Sequence, residues 1–211
     1  KENPVKDLDS PKLKKTLPKY LTLEESVQLL SSVDGQNRER DYCILTFFLN
    51  CGLRISELCA LNTTDIQDDA LRVLGKGNKV RIVYLNDACK EALNGYLAVR
   101  RPIVGRDQNA LFLSSRNERV SRSTVHALVK KHLGEAGLDS TQYSAHKLRH
   151  TAATLMLQNG VDVKAVQEVL CFNDTATTEI YTHIDNEALR VAAKANPLSR
   201  VKPPKKNETE K

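Results

Sequence analysis

Residues 71–85 strongly restrict what this chain can fold into, because they read LRVLGKGNKVRIVYL. Two β-rich runs flank the turn sequence GKGN, and this pattern predicts an antiparallel β-hairpin. Most of the remaining chain shows helical patterning. The sequence therefore predicts a mainly α protein with one small antiparallel β-sheet.

Start and stop signals divide the helical part of the chain. Thr22 and Glu25 form a capping-box pair, and a dense apolar run predicts a largely buried second helix that Gly52 ends. Ser144 is placed to cap the helix that follows it. Another helix is expected to hold Tyr181. The other expected elements are helices near 22–32, 38–50, 54–61, 87–99, 123–136, 146–159, 162–170 and 186–194, and a short strand at 111–113.

The charge of the chain is concentrated at its two ends. The 211 residues carry 32 Lys and Arg against 26 Asp and Glu, a formal net charge of +6. The excess lies in residues 1–20 and 198–211, whereas the stretch between them is balanced. We expect a basic interdomain linker over 1–20, a folded domain over 21–197 and a basic disordered tail over 198–211. A polyanion partner must therefore be argued from individual side chains.

Several broad classes of protein do not fit the sequence. No apolar run approaches the roughly 18–20 residues of a membrane span. The five cysteines are odd in number and have no CxxC pair, which predicts reduced thiols in a cytoplasmic protein. The chain begins with Lys1 and continues into a linker-like segment, so we expect an upstream domain to be absent from it.

Two short segments place a cation where an anion could bind. Arg54 lies just after a glycine break at the start of a short helix, with Glu57 one turn later to hold its guanidinium. Lys76 lies between two glycines at the expected hairpin tip. Taken alone, an ordinary surface ion pair and a solvated turn lysine are the favoured explanations of these two patterns.

Two further segments complete the set of candidates. His146 and Arg149 are spaced i,i+3 at a helix start and form a plausible phosphate pocket. His150 is expected on a different face, as a hydrogen-bonded packing histidine. Tyr181 stands between isoleucines in the segment TTEIYTHI, where its ring could also belong to the core.

The order of these motifs carries more information than any one of them. GLRISEL, the GKGNK hairpin, HKLRH and TTEIYTHI follow one another as in the tyrosine recombinases, the phage integrase family. The chain resembles the catalytic domain of Xer-type recombinases and mobile-element integrases over roughly residues 18–195. The resemblance implies the tyrosine recombinase catalytic-domain fold for residues 21–197.

The resemblance also implies a reaction and a role for each candidate. Members of the family cut and rejoin DNA through a 3′-phosphotyrosyl intermediate, without metal or ATP. Tyr181 would be the nucleophile, and Arg54 and Arg149 would clamp the scissile phosphate. Lys76 would protonate the leaving 5′ oxygen, and His146 would support proton transfer. The acidic residue that braces the first arginine would be Glu57.

One position departs from the family pattern. Nine residues before Tyr181 the family usually has His, whereas this chain has Phe172. A phenyl ring cannot donate a hydrogen bond to a phosphate oxygen, and one lost donor at such a site costs about 2.7–4 kcal/mol. We therefore expect impaired cleavage, and a histidine at position 172 should raise the cleavage rate.

The resemblance extends to partners and leaves alternatives open. The helix at 186–194 resembles the family's exchanged segment, which docks on a neighbouring protomer in tetramers on two DNA duplexes; packing within one chain is the simpler alternative. A type IB topoisomerase, or a DNA-binding module of this fold without activity, would also fit the motifs. Basic residues that could contact the DNA backbone are Lys79, Arg81, Arg116, Arg119, Arg122, Lys130 and Lys131.

Overall fold

The computed structural model describes residues 20–75, 80–105, 107–170 and 186–204. Within these ranges the chain is mostly helical and contains one small sheet, as expected. None of the described helices combines the length and the apolar character that a membrane crossing requires. The helices are α1 (Leu23–Ser31), α2 (Arg38–Cys51), α3 (Ile55–Ala60), α4 (Asp87–Val99), α5 (Arg122–Glu135), α6 (Ala145–Gln158), α7 (Val163–Leu170) and α8 (Asn186–Lys194).

The expected capping box begins α1. The Thr22 hydroxyl accepts a hydrogen bond from the Glu25 backbone N–H at 3.1 Å, and the Glu25 carboxylate accepts one from the Thr22 N–H at 2.8 Å. Two backbone donors at the helix start are thereby satisfied by this one pair. Ser144 occupies the N-cap position of α6, but its side chain makes no capping hydrogen bond.

The sheet has three antiparallel strands in the order β1–β2–β3. The hairpin was expected, and its register pairs Leu74 with Val80 and Ala70 with Tyr84. The first strand was not expected, because two residues are too few to give a period-2 pattern. The strands are β1 (Ile66–Gln67), β2 (Ala70–Leu74) and β3 (Val80–Tyr84).

The strand expected at 111–113 is replaced by two isolated β-bridges, one that joins Asn62 to Ala110 and one that joins Leu113 to Arg119. Side chains occupy the backbone acceptor that a regular ladder would use. The Leu111 carbonyl accepts hydrogen bonds from the Tyr96 hydroxyl at 3.1 Å and the Arg100 Nε at 3.0 Å.

The core is built around α2, which is buried along nearly its whole length and packs against α4 and α6. Phe47 meets Phe112 edge to face, with ring centroids 5.9 Å apart, and Tyr96 stacks on Phe112 with a centroid distance of 5.4 Å. A smaller apolar cluster joins α6, α7 and α8. Gly52, which follows α2, lies next to Ala152 of α6 and Leu170 of α7.

The folded body continues beyond the boundary expected at residue 197. A 3₁₀ turn covers Pro197–Arg200, and Leu198 within it is fully buried. Asn196 holds this turn by donating from its amide to the Leu49 carbonyl at 3.0 Å and by accepting from the Leu198 N–H at 2.9 Å. The expectation of a disordered tail from residue 198 is therefore wrong for this segment, because an apolar side chain anchors it.

Candidate active site

The turn between α2 and α3 positions Arg54. Gly52 ends α2 in the left-handed conformation, with φ of 55°. A Cβ atom there would overlap Cδ2 of Leu170, so both the backbone and the close approach require glycine. Arg54 then takes the N-cap position of α3, with 39% of its side chain exposed. A cation is thereby presented at the surface beside a rigid turn.

Glu57 holds Arg54 in two ways. Its carboxylate accepts a hydrogen bond from the Arg54 backbone N–H at 2.7 Å and another from the Arg54 guanidinium at 3.0 Å. The Glu57 side chain is only 3% exposed. Burial alone would raise the pKa of Glu57, but hydrogen bonds and charge from Arg81 and hydrogen bonds from Arg54 outweigh it, so this pKa lies below its ordinary value.

Arg81 has a different place from the one expected of it. Its guanidinium binds the Glu57 carboxylate as a fork, with N–O distances of 2.7 and 3.0 Å. The side chain is 12% exposed, since residue 81 points toward the body on β3. Arg81 therefore joins the hairpin to the brace of Arg54, and these contacts do not favour the expected role at the DNA backbone.

Arg149 reaches the same turn from α6. Arg149 is 3% exposed, and its guanidinium donates to the carbonyls of Gly52 and Leu170. These two bonds tie α6 to the end of α2 and the end of α7. The structure thus brings Arg54 and Arg149, which lie 95 positions apart in the chain, to a single turn.

His146 lies one helical turn before Arg149 and is exposed. Its Nε2 atom is 2.9 Å from Nε2 of His150, and the two rings meet nearly at right angles, at 89°. The expectation that His150 occupies a different face is therefore wrong, because i,i+4 spacing places both histidines on one face of α6. Burial, followed by unfavourable electrostatic interactions with His146, Lys147 and Arg149, lowers the pKa of His150.

The other basic candidates divide into two groups. Arg119 donates to the carbonyls of Cys59 and Leu61 at 3.1 and 3.0 Å and to the Asn62 side chain at 2.7 Å. These contacts favour a structural role for Arg119 and oppose the expected one at DNA. Four candidates remain exposed, namely Arg116, Arg122, Lys130 and Lys131.

Four expected site residues lie outside the described residues: Lys76, Lys79, Phe172 and Tyr181. Their roles stay predictions from the sequence. Within the ranges that the structure covers, no group of three or more His, Cys, Asp or Glu side chains is arranged to bind a metal ion.

Helix α8 packs on its own chain, mainly against α7. Arg190 pairs with Asp69 and lies over the Tyr84 ring, 4.7 Å from its centroid. The Asn86 amide also donates to the Ala193 carbonyl at 3.1 Å. These contacts connect the C-terminal helix to the same sheet that carries Arg81.

The fold belongs to a known class of protein. Residues 19–188 match the model of the phage integrase family, so the chain belongs to that family. The motif resemblance, the mainly α fold with its small sheet, and the assignment to tyrosine recombinase catalytic domains are confirmed.

Particular relatives narrow this class. The chain is 55% identical over 200 residues to the tyrosine recombinase XerC of Caldanaerobacter subterraneus subsp. tengcongensis. The aligned region covers 94% of this chain and 57% of that protein. It therefore spans little more than half the length of this relative. The crystal structure of XerA recombinase matches with a TM-score of 0.67 at 34% identity, covering 83% of this chain and 64% of that one. XerH site-specific recombinase, bound to its difH substrate in a pre-cleavage complex, matches with a TM-score of 0.66 at 28% identity, covering 85% and 55%.

Proposed function

We propose that this chain is the catalytic domain of a tyrosine-type site-specific DNA recombinase. The observation that carries this proposal is the meeting of Arg54, held by Glu57, and Arg149 at the Gly52 turn. Two guanidinium groups at one rigid turn suit a phosphodiester, whose non-bridging oxygens gain negative charge during attack. The similarity to XerC, and to a XerH structure described as bound to substrate, supports DNA as the partner.

The proposed reaction exchanges one phosphodiester for another. The phenolic oxygen of Tyr181 bonds to the scissile phosphorus and the bond to the 5′ oxygen breaks, leaving a 3′-phosphotyrosyl link. His146 supports removal of the phenolic proton, and Lys76 gives a proton to the leaving 5′ oxygen. A 5′ hydroxyl from a second duplex then reverses these steps. Since the link preserves the phosphodiester energy, neither step needs ATP.

The described contacts suit Arg54 and Arg149 to this reaction. The lowered pKa of Glu57 keeps its carboxylate ionised at neutral pH, so Arg54 is held by charge as well as by geometry. The two carbonyls that bind Arg149 fix the orientation of its guanidinium plane. Donors that are fixed before the reaction have no reorganisation to undergo as charge develops on the phosphate.

A nicked suicide substrate tests the proposal. This DNA loses a short 5′-hydroxyl fragment after cleavage, so a covalent protein–DNA adduct accumulates and is measured on a denaturing gel. We expect an adduct with the chain and none with Tyr181→Phe, which keeps the ring and removes the nucleophilic oxygen. An adduct that persists in Tyr181→Phe would contradict the assignment of the nucleophile.

Phe172 favours a second candidate function, a DNA-binding module with little cleavage activity. The two are separated by Phe172→His in the same assay. We expect the histidine to raise the rate of adduct formation by about 100-fold, the value of one donor to a phosphate oxygen. No adduct from either chain, with DNA binding intact, would favour the binding module.

We further propose that α8 takes part in assembly on two DNA duplexes, as the family resemblance implies. Arg190→Ala removes the contacts with Asp69 and Tyr84 that hold α8 on its own chain. We expect this variant to form more higher-order protein–DNA complexes on native gels. Arg200→Ala is the matched control, since Arg200 is exposed just beyond α8. An unchanged complex distribution in Arg190→Ala would contradict the role of α8.

A further inference from the structure

We propose that His150 is a positioning residue for His146, which holds the His146 ring and fixes which of its two nitrogens exchanges a proton in the reaction. The catalytic role of this proton rests on the proposed function. The contact between the two histidines rests on the geometry of α6 alone.

The distance between the two rings requires a shared proton. Nε2 of His146 and Nε2 of His150 are 2.9 Å apart, which is the length of an N–H···N hydrogen bond. Two lone pairs at this distance would repel, and two N–H groups would collide. One proton therefore lies between the rings, and each Nε2 atom is engaged by the other histidine.

This bond determines what His146 can do. A neutral imidazole has one N–H and one lone pair, so the nitrogen that bonds to His150 sets the state of the other nitrogen. With Nε2 engaged, Nδ1 is the atom of His146 that exchanges protons with the reacting groups. If Nε2 of His146 donates, Nδ1 is a base; if Nε2 accepts, Nδ1 carries a proton and is an acid.

The surroundings of His150 suit it to this task. Burial, followed by unfavourable electrostatic interactions with His146, Lys147 and Arg149, keeps the pKa of His150 below its ordinary value. His150 is therefore neutral at neutral pH and retains one donor and one acceptor for the bond. The ring is half-buried on the face of α6 that carries His146, whereas His146 is exposed at the start of the helix.

The test combines a spectroscopic readout with a rate. Nitrogen-15 shifts of the imidazole side chains report the tautomer of each of the five histidines, and the His146→Gln variant assigns the His146 signals. In the unmodified chain at pH 7.5, we expect His146 to show one fixed tautomer. In His150→Ala, we expect averaged shifts from an exchanging mixture, and single-turnover cleavage at saturating DNA about 10- to 100-fold slower, a part of the contribution typical of acid–base catalysis.

Two variants separate positioning from folding. His150→Gln places an amide near the position of Nε2, and we expect it to restore part of the cleavage rate and a fixed His146 tautomer. His126→Gln changes an exposed histidine on α5 and should alter neither readout. The proposal is overturned if His146 keeps its tautomer in His150→Ala, whether or not the melting temperature falls. If the unmodified chain forms no adduct, the proposed function fails while the tautomer still decides the role of His150.

Discussion

At the scale of single residues, Glu57 is the most constrained charged group of the candidate site. One buried carboxylate accepts hydrogen bonds from two arginines and from the backbone at the start of α3. Of the two arginines, Arg54 is partly exposed and Arg81 is nearly buried. Arg81 therefore acts as the inner support that lets Glu57 stay ionised while it orients Arg54.

The support from Arg81 can be tested by substitution. Arg81→Gln removes a charged fork from a buried carboxylate, which we expect to lower the free energy of unfolding by about 1.5–3 kcal/mol. Misplacement of Arg54 should slow suicide-substrate cleavage by up to about 100-fold. For Arg81→Lys, we expect a stability and a cleavage rate between those of the unmodified chain and Arg81→Gln, because lysine keeps the charge but cannot bind the carboxylate as a fork.

Arg72→Gln provides the control for Arg81, since Arg72 lies exposed on the neighbouring strand β2. Thermal melting and cleavage at saturating DNA are measured for all the variants. Arg81→Gln with the melting temperature and the rate of the unmodified chain would show that Glu57 does not depend on this pair.

The lowered pKa of Glu57 also predicts how the stability of the fold depends on pH. A carboxyl whose folded pKa is lowered adds stability above its ordinary pKa, here 4.5, and this stability is lost as the pH falls through the folded pKa. Glu57→Gln lacks that contribution. The gap in melting temperature between the chain and Glu57→Gln should therefore be widest near pH 7 and narrow toward pH 3. A constant gap would contradict an ionised Glu57.

At the scale of elements, the Gly52 turn joins three helices to the site. It ends α2, contacts the last residue of α7 and binds Arg149 of α6 through its carbonyl. The same few atoms thus set the position of Arg54, two residues later, and the orientation of Arg149. Because Leu170 is fully buried, the space beside Gly52 cannot widen without disturbing the smaller apolar cluster.

Gly52→Ala tests this turn. The new methyl group would overlap Leu170 in a left-handed backbone, so we expect a loss of about 1–3 kcal/mol in the free energy of unfolding. We also expect slower cleavage below the melting temperature, since Arg149 loses its fixed carbonyl. Gly95→Ala is the matched control, because Gly95 lies inside α4 with no atom near an added Cβ. Alanine at position 95 should raise the free energy of unfolding by up to about 1 kcal/mol. A Gly52→Ala chain more stable than Gly95→Ala would contradict the role of the Gly52 turn.

At the scale of the whole molecule, the sequence predicted what depends on neighbouring residues. The pairing of strands β2 and β3, the Thr22 capping box and the Gly52 stop each reflect neighbouring residues, and the mainly α fold follows from such local patterns. The Arg81 fork and the carbonyl contacts of Arg119 depend on tertiary packing, which no local pattern encodes. His150 differs from these, because its i,i+4 spacing from His146 is a local pattern that already predicts one shared helix face, and the expectation of a different face is wrong.

The burial of Leu198 was missed for a related reason. Basic residues and prolines dominate the composition of the last residues, and one apolar anchor does not change that average. Of the candidate site, Arg54, Glu57 and Arg149 were predicted and are brought together. The roles of Lys76 and Tyr181 stay predictions that rest on the motifs.

The distribution of charge gives the last prediction. Most of the positive excess lies in residues 1–19 and 205–211, whereas the arginines of the candidate site belong to the balanced body. Electrostatic affinity for duplex DNA falls with salt, with a slope of about 0.9 per phosphate neutralised. Removing both end segments should therefore weaken DNA binding and flatten its salt dependence. Cleavage at saturating DNA should keep its rate, because no proposed catalytic residue is removed.

A variant of full length separates charge from chain length in this experiment. Changing the lysines of the same two segments to glutamine should reproduce the weaker binding and the shallower salt slope. Equal salt slopes for the unmodified chain and this variant would mean that the body supplies the phosphate contacts, through exposed residues such as Arg122 and Lys130. A fall in the cleavage rate at saturating DNA would mean that the ends act within the site itself.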